Sequence, residues 1–201
     1  MRYKNTLILF AKAPVICRVK TRMWPTLTHR ECLYLHRQLV SHILDSFKHK
    51  FNLVFYTTRP IGYSGSIRIQ NGQDLGMRMF NAMNEELKHS QKVILVGSDC
   101  PQLDEAYINH AFASLEGMRD ITFGPSNDGG YFLIGAKRVL PGLFSQMTWS
   151  DSNVLNETLI KSDRLGFNSK LLEPLTDIDT IDDLQALRQS NSLPVWAKRL
   201  L

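Results

Sequence analysis

Four short stretches of this 201-residue chain carry side chains able to do chemistry together. The first, Lys12-Ala13-Pro14-Val15-Ile16-Cys17-Arg18-Val19-Lys20-Thr21-Arg22, holds the cations Lys12, Arg18, Lys20 and Arg22. Lysine supplies a mobile point charge and arginine a planar fork, a pairing suited to a polyphosphate. A solvated basic loop would explain the same charges. The stretch lacks the G-x-x-x-x-G-K-[ST] pattern, so it is not a P-loop. The second, Gly97-Ser98-Asp99-Cys100-Pro101, sets a carboxylate directly after an apolar run. Such a carboxylate is costly to desolvate unless a cation or hydrogen-bond donors await it. Mg²⁺ favours one or two carboxylates together with phosphate oxygens. A turn in which Asp99 bonds backbone N–H groups before Pro101 is the structural alternative. Cys100 has no histidine beside it in sequence and reads as a small buried filler.

The third stretch is Ser126-Asn127-Asp128-Gly129-Gly130-Tyr131. Its paired glycines permit a tight turn and close approach of backbone N–H groups to a ligand, while Asp-Gly alone already signals a hairpin turn. The fourth, Asp177-Ile178-Asp179-Thr180-Ile181-Asp182-Asp183, is rich in carboxylates. Asp182 and Asp183 suit a helix N-terminus begun by Thr180. Asp177 and Asp179 precede that cap and are left as candidates for a second carboxylate on a metal. Gln73-Asp74-Leu75-Gly76-Met77-Arg78-Met79 is a helix start in which Gly76 costs about 1 kcal/mol against alanine. Something must therefore approach it closely, either a packed side chain or a ligand. The methionines nearby read as core, and the six histidines show no metal-ligand spacing and are placed on the surface.

Alternating strands and helices must position these stretches. Leu7–Ala11, Leu53–Tyr56, Ile67–Ile69, Val93–Val96, Ile121–Phe123, Tyr131–Gly135 and Lys170–Leu172 read as strands, several of them continuous apolar runs of the kind buried on both faces. Helices are expected from Thr28, with a Thr28–Glu31 capping box, from Asp74 to about Lys88, from Asp104 to about Leu115, from Ser152 toward Ile160 and from Thr180 through Leu187. Cys32, Leu35, Leu39, Ile43 and Phe47 recur at helical spacing and mark a core-facing stripe. The alternation implies an α/β domain with a largely parallel sheet and helices on both faces. No helix separates Ile121–Phe123 from Tyr131–Gly135, so one strand there is expected to run antiparallel. In such sheets ligands bind beyond the carboxyl ends of the strands, where the basic loop and Asp99 fall.

Composition narrows the class. Hydrophobic residues make up 43% and charged residues 21%, as in ordinary globular chains, and the length suits one domain over 1–201. The net charge of +5 is spread without a run of like charges, which argues against a nucleic-acid arm. The three cysteines give neither a disulfide framework nor a zinc spacing. No apolar stretch reaches the length of a membrane span, and a cytoplasmic location is the expectation.

Taken in order, the basic loop, Gln73–Met79, Gly97–Pro101, Asp128-Gly129-Gly130-Tyr131-Phe132-Leu133-Ile134-Gly135 and Asp177-Ile178-Asp179-Thr180 resemble the small bacterial glycosyltransferase-A-like family of the nucleotide-diphospho-sugar transferase superfamily. More distantly they are similar to molybdenum-cofactor and phospholactate nucleotidyltransferases. The resemblance implies a three-layer α/β/α, Rossmann-like mixed and mostly parallel sheet. It also implies a nucleotide bound with Mg²⁺ or Mn²⁺. By motif, Asp99 and Asp179 would hold the metal. Lys12, Arg18, Lys20, Arg22, Asp74 and Gly76 would bind the nucleotide, with Lys20, Arg22 and Asp99 acting in catalysis. Asp128, Gly129, Gly130 and Trp149 would face the acceptor. Two departures stand out: Ile16-Cys17 occupies the place of a usual Pro-Gly, and Asp151 follows Trp149-Ser150 where threonine is usual.

The function expected is nucleotidyl transfer from a nucleoside triphosphate to a small phosphorylated acceptor. Glycosyl transfer from a nucleotide-sugar is the alternative, and a non-catalytic nucleotide-binding module a further one. The expected partners are a nucleotide and a small-molecule acceptor, with no nucleic acid and no membrane. The sequence assigns neither base, sugar, acceptor nor oligomeric state.

Overall fold

The computed structural model describes residues 3–24, 26–149 and 151–189. Pro25, at the end of the basic loop, and Ser150, next to Trp149, lie outside them. Strand β1 (Tyr3–Ala11) lies near the centre of a seven-stranded sheet. β2 (Asn52–Thr57) and β3 (Ser66–Ile69) extend the sheet on one side. β4 (Ser90–Val96), β6 (Tyr131–Ala136), β5 (Ile121–Pro125) and β7 (Ser169–Leu171) extend it on the other, in the spatial order β3-β2-β1-β4-β6-β5-β7. β6 pairs antiparallel with β4 and with β5, and every other pairing is parallel. The reversed strand is the second member of the helix-free pair.

Period-two side-chain alternation divides the core between the two faces of the sheet. Leu7, Leu9 and Ala11 of β1 face α1 (His29–Phe47) and α3 (Glu105–Ser114), where Val40, Ile43, Phe47, Ile108 and Phe112 are buried. Ile8 and Phe10 face the other layer, with Met79 and Met83 of α2 (Leu75–Leu87) and partly buried Leu155 and Leu159 of α4 (Val154–Arg164). A third cluster joins Cys32, Leu35 and Leu39 of α1 to Met23, Ile178, and Leu184 and Leu187 of α5 (Ile181–Gln189). The α1 stripe thus serves two cores, its first half binding α5 and its second half the sheet.

Local chemistry sets the helix starts. Thr28 Oγ1 accepts from Glu31 N, and the Glu31 carboxylate accepts from Thr28 N at 2.8 Å. Asp74 and Asp104 cap α2 and α3 by accepting from Met77 N and Tyr107 N, each at 2.8 Å. Thr180 and Asp183 form a reciprocal pair at the start of α5. Several boundaries differ from the sequence expectation; β4, for one, begins at Ser90 rather than Val93. β1 begins at Tyr3, where its polar first residues pair with β4. α4 begins at Val154 rather than Ser152, because Asp151 Oδ1 takes the Asn153 N–H and holds the preceding turn. The last strand ends at Leu171, and Leu172 turns into the core at 6% exposure. Among the described residues no helix is long and apolar enough to cross a membrane.

Candidate functional site

The reversal of β6 assembles the site. Its N-terminal end lies beside the C-terminal end of β4, since Val96 pairs with Leu133 and Gly97 N donates to Phe132 O. The turn before β6 therefore reaches the same edge as the loops that follow β1 and β4. In that turn Asp128 Oδ1 accepts from Gly130 N at 3.0 Å and from the Ser126 hydroxyl. Gly129 adopts φ +87, and a Cβ there would lie 1.8 Å from the Ser152 carbonyl oxygen.

The segment 177–179 crosses over this edge. Ile178 N donates to Asp99 O at 2.8 Å, and Asn127 Nδ2 donates to Thr176 Oγ1 at 2.8 Å. Ile178 is fully buried in the third cluster, so its neighbours Asp177 and Asp179 are anchored on both sides of a core residue. One oxygen each from Asp128, Asp177 and Asp179 come within 4.8 Å of one another. A cavity of about 300 Å³ opens here. Asp99, Asp128, Asp177, Asp179 and Arg22 stand at its polar end, and Phe10, Met79, Leu95, Ile134 and Trp149 line an apolar bowl.

The electrostatics divide the acids. Burial, then the charges of Asp128 and Asp179, push the Asp177 carboxyl up to about 7. Asp179 is raised by burial and by Asp99 and Asp128, against the opposing pull of Lys20 and Arg22. Burial would raise Asp99 too, but the Lys20 ammonium, His36 and the Ser98 hydroxyl outweigh it and hold Asp99 below the usual carboxylate range. Three carboxylates, of which Asp177 is raised by burial and by its two acidic neighbours, are the oxygen donor set a hard divalent cation takes. Asp128, Asp177 and Asp179 therefore fit Mg²⁺ or Mn²⁺.

The expected metal pair, Asp99 and Asp179, is arranged differently. Lys20 Nζ lies 3.0 Å from Asp99 Oδ1 and 3.7 Å from Asp179 Oδ1, and it also donates to the Ile178 carbonyl. Asp99 thus holds an ammonium, and Asp128, expected toward the acceptor, stands with the acids. Arg22 Nη1 donates to Asp179 Oδ2 at 3.0 Å and lines the cavity, half exposed. Lys12 and Arg18 are exposed on the loop and are not among the cavity's lining residues. Asp74 serves as the α2 cap. The close approach at Gly76 is made by protein: a Cβ would meet the Phe144 carbonyl and the Trp149 ring, each at 2.6 Å. Gly130 and Trp149 line the cavity, while Gly129 backs onto Ser152.

Two features escaped the sequence. His36, expected at the surface, is 4% exposed and bonds the Lys12 carbonyl through Nε2 at 2.9 Å. Its place beside Leu35 on the α1 stripe was the available signal. Cys17 adopts φ 59, a conformation that costs a residue with a Cβ roughly 1–2 kcal/mol and glycine nothing comparable. That is a backbone conformation glycine adopts freely, in keeping with the Pro-Gly that the resemblance implies at Ile16-Cys17.

The sheet order, the single reversed strand and a pocket beyond the strand ends define the nucleotide-diphospho-sugar transferase fold. The chain belongs to the family described as uncharacterized protein conserved in bacteria (DUF2064), whose model matches residues 41–151. That match includes Asp99 and Asp128 but neither the basic loop nor Asp177 and Asp179. Among solved structures, the chain is similar to a Desulfovibrio desulfuricans protein assigned as a nucleotide-diphospho-sugar transferase. Identity is 27% over 94% of this chain and 88% of that one, with a TM-score of 0.87. A cytidylyltransferase from Leptospira borgpetersenii shares the fold at 15% identity, covering 92% of this chain and 85% of that one, with a TM-score of 0.57. So does a 4-diphosphocytidyl-2C-methyl-D-erythritol synthase from Anaerococcus prevotii at 12% identity, covering 94% and 99%, with a TM-score of 0.58. No curated protein matches the sequence.

Proposed function

We propose that this protein is a divalent-cation-dependent transferase acting on a nucleotide. The carrying observation is the convergence of Asp128, Asp177 and Asp179 at the polar end of a cavity that Arg22 also lines. Phosphates and carboxylates repel, so a nucleotide enters such a pocket only with a cation between them. Mg²⁺ or Mn²⁺ bound there would neutralise charge on the donor phosphates as the leaving group departs. Arg22 would take a phosphate oxygen through its planar fork. The apolar bowl around Trp149 and Met79 would hold the uncharged part of the ligand and exclude water from it. Positioning and electrostatics suffice for such transfer, and no protein nucleophile is required.

Two transfers fit this arrangement. Nucleotidyl transfer from a triphosphate draws support from the basic loop, where Lys12 and Arg18 remain exposed. The engagement of Lys20 by two aspartates leaves Arg22 as the loop cation lining the cavity. One guanidinium matches the diphosphate of a nucleotide-sugar better than the more highly charged chain of a nucleoside triphosphate. Glycosyl transfer from a nucleotide-sugar is therefore favoured, and the Desulfovibrio likeness supports the same choice.

Thermal unfolding against nucleoside triphosphates and nucleotide-sugars, with Mg²⁺ and then with EDTA, tests the proposal. A ligand at 100 times its dissociation constant stabilises by about 2.7 kcal/mol, a shift of a few degrees. A magnesium-dependent shift is expected with nucleotide-sugars, and turnover should release nucleoside diphosphate. Release of pyrophosphate would establish nucleotidyl transfer instead. Nucleotide binding indifferent to EDTA and to Asp179→Asn would leave a non-catalytic binding module.

A further inference from the structure

Lys20 is the most enclosed charge in the site, with 3% of its side chain exposed. Lysine ordinarily keeps its ammonium in water while its stem lies on apolar surface, and withdrawing that charge costs several kcal/mol unless it is paired. Here the pairing is complete: Asp99 Oδ1 at 3.0 Å, Asp179 Oδ1 at 3.7 Å and the Ile178 carbonyl. The other oxygen of Asp179 takes Arg22 at 3.0 Å.

Asp179 is thereby shared between two acidic lobes. One contains Asp128 and Asp177, and the other contains Asp99 with the Lys20 ammonium already seated in it. Paired-cation sites for phosphoryl chemistry place their two ions about 3.5–4 Å apart. Here the Lys20 ammonium lies 3.7 Å from an oxygen of Asp179, the residue that also belongs to the Asp128–Asp177 lobe.

We infer that Lys20 is a built-in cation that occupies the Asp99–Asp179 position, restricts the protein to a single divalent ion, and conceals a second metal site that opens when its charge is removed. This rests on the reading that Asp128, Asp177 and Asp179 hold one ion. Lys20 acts as a positioning residue, fixing Asp99 and the 177–179 segment against the loop after β1.

Metal stoichiometry tests it without any substrate. Mn²⁺ binding, followed by the loss of free-ion electron paramagnetic resonance signal, should give one ion per wild-type chain. Lys20→Met should give two, Lys20→Arg one, and Lys20→Met combined with Asp99→Asn one again. The double variant has no unpaired buried charge at this position, and Lys20→Arg keeps the cation, so both serve if Lys20→Met does not fold. Two ions in the wild type or in Lys20→Arg would overturn the inference, as would a single ion in folded Lys20→Met. No ion in the wild type would overturn the metal-site reading itself, and the inference with it.

Discussion

Asp177 sets how the metal-free pocket responds to pH. Its carboxyl titrates near 7 in the folded chain, raised by burial and by Asp128 and Asp179, against about 3.9 in an unfolded one. Between those values the folded state binds more protons, so stability falls as pH rises through that window and levels off above about 7. Asp99, held low by Lys20, contributes the opposite slope at more acid pH, where protonating it removes stability. Buried His36 and half-buried His42, whose imidazoles burial holds below the usual value, slope the other way over part of the same range. Urea unfolding from pH 4.5 to 8.5 in EDTA should therefore show the wild-type midpoint falling relative to that of Asp177→Asn as pH rises, and Mg²⁺ should lift the wild type at the alkaline end. Parallel curves for the two proteins would contradict this assignment. At this scale residue types were legible, because Asp99, Asp177 and Asp179 lack full structural employment in the sequence. Their division of labour was not. Whether a carboxylate faces an ammonium or an open cavity depends on side chains brought from far along the chain.

Among the elements, the reversed strand β6 and the turn leading into it bear most directly on the site. Gly129 combines φ +87 with a Ser152 carbonyl 1.8 Å from where a Cβ would stand. Gly129→Ala must displace either the turn or the entry to α4, at a cost of about 2–3 kcal/mol, and weaken Mn²⁺ binding by moving Asp128. Gly166 offers the control: its φ is +71 but nothing lies within 4 Å, so Gly166→Ala should cost about 1 kcal/mol and leave Mn²⁺ binding unchanged. Equal effects of the two on metal binding would show that the turn does not position Asp128. The strands and capped helices were readable because period-two runs and capping residues are local signals. The antiparallel strand was readable from a missing helix. The start of α4 was not, since Ser152 suits a helix entry and the Asp151–Asn153 bond that moves the start to Val154 shows only in the folded turn.

In the whole molecule, the third core ties chemistry to stability. Leu184 is 1% exposed between α5 and α1, and Leu184→Ala should cost about 2–5 kcal/mol. Because Ile178 sits in the same cluster, the substitution should also loosen Asp177 and Asp179 and weaken Mn²⁺ binding by more than the same truncation at Leu44, which packs in the sheet core. Equal losses of metal affinity in the two variants would refute that coupling. Hydrophobic spacing predicted one stripe on α1, but not that its two halves enter different cores, because that depends on where residues 178–187 dock. The bond from Lys20 to Ile178 spans 158 residues of sequence. A chain emerging from the ribosome completes the basic loop and the central strands long before it supplies the aspartates that close the pocket. Synthesis runs at about 5–20 residues per second, so nascent chains spend several seconds with Asp99 and Lys20 in place but no metal-binding cluster. Under the proposed function, a nucleotide encountered in that interval finds half a site, and ligand capture is deferred until the 177–179 segment has been made.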